Sequence, residues 1–111
     1  MTIDELREHC DLTVLTAPPN GGSREITGCY LGDFLSWAMG KISAGDVWVT
    51  VMGNVNALAV AALTDAACIV LAEGARLDPE AFEKAQEQEL IVLASEKSSY
   101  ALAVRIGERL A

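Results

Sequence analysis

Runs of apolar residues without polar alternation mark two places in this chain as strands covered on both faces. They are Val47-Trp48-Val49-Thr50-Val51 and Ile69 to Ala72. Between them, after a turn at Gly53, Ala57 to Leu63 is apolar all round, which predicts a buried helix. Asp78-Pro79 then supplies a cap followed by Pro at the first helical position. The helix it starts is predicted to carry Phe82 and Ala85 inward and Glu80, Glu83, Lys84 and Glu87 outward. Leu90 to Ala94 reads as the last strand. Ser98 or Ser99 caps a last helix with Leu102, Ile106 and Leu110 on one face and Arg105, Glu108 and Arg109 towards water.

The first half is less regular. Thr2-Ile3-Asp4-Glu5 has the capping-box form and starts a short helix through about His9. Leu12 to Thr16 is β-rich and ends in the loop signal Ala17-Pro18-Pro19-Asn20-Gly21-Gly22. Ile26 to Tyr30 predicts a short strand. Leu31, Phe34, Leu35, Ala38 and Met39 have the spacing of one helix face, with Asp33 in the first turn and Gly40 as the C-terminal stop. From Val47 onward the order is β-α-β-α-β-α with short connections. This predicts an α/β chain, a three-layer α/β/α sandwich around a mostly parallel sheet of about four to five strands. Residues 1–111 are expected to form one domain.

Charge narrows the partners. Eight basic against sixteen acidic residues leave a net charge of −8, which opposes binding to nucleic acid or to an anionic membrane. The tract Val55 to Ala75 is interrupted by Asn56, Asp65 and Glu73 and does not read as a membrane span. No export signal opens the chain, and Cys10, Cys29 and Cys68 form no C-x-x-C pair, so a cytoplasmic protein with reduced thiols is expected. With aromatics at 5%, the core is expected to be Ala, Val, Leu and Ile, with Cys68 as a small buried hydrophobe.

Candidate chemistry is sparse. Gly40-Lys41 lacks the upstream Gly and the following Ser or Thr of a P-loop, and no G-x-G-x-x-G follows a strand. The single His prevents assembly of a nucleophile–base triad, and His9-Cys10 alone makes a poor zinc site. No catalytic residue, metal or cofactor is therefore expected. Ligands in open α/β sheets favour the crevice beyond the carboxyl ends of strands, where Thr50, Gly53, Asn54 and Asn56 fall. Gly53 would let a ligand approach the backbone, exposed helix-start amides would favour an anion, and the Asn side chains would add donors. Equally, Gly53-Asn54 reads as an ordinary turn and Asn56 as an ordinary N-cap. The acidic run Glu80, Glu83, Glu87 and Glu89 reads as a solvated face. Trp48 is expected in the core, and Trp37, off the main apolar stripe of its helix, at an interface or a pocket mouth.

Gly28-Cys29-Tyr30-Leu31-Gly32-Asp33-Phe34-Leu35-Ser36, Met39-Gly40, Gly45-Asp46-Val47-Trp48-Val49-Thr50-Val51 and Asn56-Ala57-Leu58-Ala59-Val60-Ala61 resemble the DRTGG domain. The likeness is to its short stand-alone members, related to the domain preceding the catalytic part of HPr kinase/phosphorylase, and it runs from about Thr2 to Leu110. Mur ligase N-terminal domains are more distantly similar. The resemblance implies a regulatory, non-enzymatic, ligand-sensing module, a small anionic and nucleotide-like ligand, and homodimerisation. The alternative it implies is a homodimerising accessory module of a hydrogenase-associated redox complex, without ligand. Asn54-Val55-Asn56 and Glu73-Gly74 stand where the family has its Asp-Arg-Thr and Gly-Gly elements.

Overall fold

The computed structural model describes residues 1–110, arranged as five strands and five α-helices. In chain order they are α1 (Ile3–Cys10), β1 (Thr13–Thr16), β2 (Gly28–Leu31), α2 (Leu35–Lys41), β3 (Asp46–Thr50), α3 (Val55–Thr64), β4 (Cys68–Leu71), α4 (Pro79–Glu87), β5 (Val92–Ala94) and α5 (Ser99–Arg109). The sheet order is β1-β5-β4-β3-β2. Strands β2 to β5 are parallel, and β1 closes one edge antiparallel to β5. The expected three-layer α/β/α sandwich is present, with the sheet mostly parallel.

Each layer has its own core. On one face α2, α3 and α4 pack Ala38, Ile42, Ala57, Leu58, Ala61, Ala81 and Ala85 against Trp48, Ile69, Leu71 and Val92. On the other, Ile3, Leu6 and Cys10 of α1 and Leu102 and Ile106 of α5 pack against Val47, Val49, Val70 and Leu93. Every residue of β3 and β4 is buried, as expected of strands covered on both sides. The small residues on α3 and α4 let those helices approach the sheet closely enough to leave Trp48 fully covered, its indole N–H donating to the Gly32 carbonyl at 2.9 Å.

Local signals set the helix starts. Thr2 and Glu5 form the predicted capping box, and the Ser98 hydroxyl accepts from the Ala101 amide at 3.1 Å to start α5. Four expectations are corrected. Leu31 ends a strand and α2 begins only at Leu35, because the Asp33 carboxylate is held by Thr50 and Val51 and so lies outside the helix. Gly40 lies inside α2, which continues to Lys41. Helix α3 is the middle helix of its layer, so its outer side, including Leu63 at 74% exposure, faces solvent. Phe82 is 39% exposed, since Ala81 and Ala85 are the residues of α4 that meet the sheet.

Burial also sets a pH dependence. Removal from water raises the Cys68 thiol to about 12, with Cys29 adding to the rise and Arg24 opposing it. The folded chain therefore holds this proton after the unfolded chain, with an ordinary thiol near 9.0, has released it. Its stability contribution is complete below pH 9 and is lost as pH rises towards about 12. Urea unfolding followed by circular dichroism is expected to show a midpoint that falls across this window. In Cys68→Ala the decline is expected to be shallower.

Candidate functional site

The turn after β3 gathers Thr50, Gly53, Asn54 and Asn56, and most of its polar groups are already engaged. Thr50 is 1% exposed, and its hydroxyl donates to Asp33 Oδ1 at 2.7 Å. The same oxygen accepts from the Val51 amide at 2.9 Å, a charge-assisted clasp that ties the β2 exit to the β3 exit. A Cβ at Gly53 would overlap the carbonyl oxygen of Arg76, and the Gly53 carbonyl accepts from the Asp78 amide at 2.8 Å. The close approach expected of a ligand is thus made by the chain's own segment after β4. Asn54, rather than Asn56, is the N-cap of α3, accepting from the Ala57 amide at 2.9 Å. Both Asn residues give the same capping signal, and the extended backbone at Asn54 decides between them. Asn56 is exposed.

The crevice of the sheet lies elsewhere. Because β2, β3, β4 and β5 follow one another across the sheet, the helices α2, α3 and α4 all fall on one face. After β5 the chain crosses to the other face as α5. Neighbouring strands whose exits diverge to opposite faces define the switch point of an open sheet, where ligands bind beyond the carboxyl ends. Here that point is between β4 and β5. Beside it, on the α4 side, a groove of about 480 Å³ runs from the segments leaving β4 and β5 to edge strand β1, lined by Thr13, Leu15, Gly74, Ala75, Arg76, Leu77, Phe82, Ala94, Ser95 and Glu96. The volume lies within the usual range for small-ligand sites.

The groove is braced by backbone. The Gly74 amide donates to Ser95 O at 3.0 Å and the Glu73 amide to Lys97 O at 2.8 Å. The Ser95 hydroxyl oxygen accepts from the Lys97 amide, and the Glu73 carboxylate accepts from Ser99 at the start of α5. Arg76 and Glu96 are exposed and, among the described residues, neither has an ion-pair partner. Arg76, Ser95 and Glu96 belong to no sequence motif. The signal they do carry is position: Ser95 and Glu96 directly follow β5, and Arg76 lies in the loop between β4 and α4. A second cleft of about 450 Å³ sits at the opposite end of the sheet under residues 18–24, where Arg24 is paired with Asp65 at 3.1 Å.

Other candidates disperse. The His9 ring nitrogen Nε2 lies 2.9 Å from Arg105 O and 3.1 Å from Glu108, facing α5, while Cys10 is buried. Among the described residues, no group of three His, Cys, Asp or Glu side chains converges as metal ligands. No helix among them is long and apolar enough to cross a membrane. Trp37 is 63% exposed on α2, its ring centroid 6.2 Å from that of Phe34, which is 65% exposed.

The fold is a mostly parallel α/β sheet covered on both faces, with a ligand-sized groove beside the exits of β4 and β5. The family model for the DRTGG domain matches residues 5–108, and the chain belongs to that family. A search of curated proteins gives no match. Among solved structures, the chain is similar to the CBS and DRTGG domains of the regulatory region of Clostridium perfringens pyrophosphatase, complexed with the activator diadenosine tetraphosphate. The TM-score is 0.71 at 13% identity, over 95% of this chain and 45% of that one, a likeness of fold.

Beside the groove, Glu73 and Gly74 both take left-handed backbone, with φ of 61° and 72°. The Glu73 carboxylate accepts from the Ser99 amide at the start of α5. The three glycines tested together separate these causes by urea unfolding. Gly53→Ala is expected to cost about 1–3 kcal/mol, because the obstructing atom is backbone. Gly74→Ala is expected to cost about 1–2 kcal/mol for the left-handed conformation, since Glu96 can swing aside. Gly107→Ala, with open space around it inside α5, is expected to stabilise by about 0.5–1 kcal/mol.

Proposed function

We propose that this chain is a regulatory, non-enzymatic module that senses a small anionic, nucleotide-like ligand, and that the ligand occupies the groove between β4 and β5. The observation that carries this reading is the ligand-sized groove bounded by the segments leaving β4 and β5, next to the sheet's switch point. Membership in the DRTGG family supports a regulatory role, and the similar regulatory region is complexed with a nucleotide activator.

In this reading Thr50, Gly53 and Asn54 shape the groove from behind. Gly53 receives the loop at Arg76 and Asp78, Asn54 starts α3, and Thr50 fixes the strand end. Asn56, exposed on the first turn of α3, is the residue of that turn left to meet a ligand reaching beyond the groove. A thermal-shift panel of nucleotides and phosphorylated metabolites tests the proposal. Saturation at a hundred times Kd is expected to add about 2.7 kcal/mol, and hence to raise Tm by several degrees. A flat response across the panel contradicts it.

A second reading rests on a separate feature. Leu31, Phe34, Trp37 and Val51, around the β2–α2 connection and the β3 exit, are exposed large apolar residues. They favour a homodimer, or docking as an accessory module on a redox-enzyme complex, with Trp37 at the interface. Sedimentation velocity at micromolar concentration is expected to show a dimer that Trp37→Glu dissociates. A monomer in the unmodified chain contradicts self-association.

A further inference from the structure

The charge of the groove points to a narrower ligand class, on the premise that the groove is the ligand site. Arg76 and Glu96 are the charged side chains among its lining residues, one of each sign, and the whole chain carries −8. A ligand bringing several negative charges meets one guanidinium, one carboxylate and a repelling protein field. A single phosphate finds a matched partner in Arg76, whose planar fork suits phosphate oxygens. Glu96 accepts hydrogen bonds and donates none when ionised, so it complements hydroxyls such as those of a ribose. Leu77 and the half-exposed ring of Phe82 supply an apolar wall for a flat base.

We infer that the β4–β5 groove selects a ribonucleoside monophosphate over nucleoside polyphosphates. The base lies against Leu77 and Phe82, the sugar hydroxyls donate to Glu96, and the lone phosphate is held by Arg76. The groove thus discriminates by charge as well as by shape. Polyphosphates are disfavoured because one Arg cannot neutralise them beside Glu96.

Isothermal titration calorimetry on the full chain tests this. The probes are the four common ribonucleoside monophosphates, their nucleosides and triphosphates, and diadenosine tetraphosphate. At least one monophosphate is expected to bind tenfold or more tightly than its triphosphate. Added salt is expected to narrow that gap, since screening relieves the repulsion of the triphosphate. Arg76→Ala is expected to remove the preference for monophosphate over nucleoside while leaving nucleoside affinity unchanged. Glu96→Gln is expected to weaken nucleoside and monophosphate alike. Both residues are exposed, so folding is not at stake. Tighter binding of a triphosphate or of diadenosine tetraphosphate overturns the charge argument and leaves ligand sensing standing. Absence of binding by every probe removes both.

Discussion

Full burial of β3 and β4 on both faces is the constraint from which the rest of this structure follows. A strand pair such as Val47-Trp48-Val49 and Ile69-Val70-Leu71 has no solvent side, so helices must cover the sheet above and below. Successive right-handed crossovers put α2, α3 and α4 on one face. The second face is covered by the two terminal helices, α1 and α5. The chain must therefore change faces after β5, and that change separates the segments leaving β4 and β5.

The loop between β4 and α4 carries this geometry to the rest of the domain. Its Gly74 and Glu73 amides are fixed to the β5 exit, its Arg76 carbonyl fills the space left by Gly53, and its Asp78 amide bonds to Gly53 O. The β3 exit is in turn held to β2 through Asp33, Thr50 and Val51. An occupant of the groove would press on a segment coupled by direct hydrogen bonds to two neighbouring strand ends. Arg76 and Glu96, which make no ion pair among the described residues, are left to face it.

Much of this fold is legible from local chemistry. The Thr2–Glu5 capping box, the Ser98 cap and the unalternating β3 and β4 depend on neighbours in sequence, and they read correctly. The misreadings depend on distant partners. Asp33 suits a helix start until Thr50, seventeen residues on, claims its carboxylate. Gly40 suits a helix stop, yet α2 continues through it to Lys41. Phe82 has core spacing, yet the small Ala81 and Ala85 are what meet the sheet. The groove joins residues of β1, the loop after β4, α4 and the β5 exit, which are far apart in sequence, and no local pattern announces it.

In the proposed reading this domain receives its ligand in the groove beside the β4 and β5 exits. Two-dimensional amide NMR of the full chain, titrated with the tightest-binding ribonucleoside monophosphate, tests it most directly. Saturable shift changes are expected to centre on Gly74 to Leu77, Ser95 and Glu96, with smaller changes relayed to Gly53. Changes centred on α2 or on the cleft beneath residues 18–24, with Gly74 to Leu77, Ser95 and Glu96 unmoved, would contradict it.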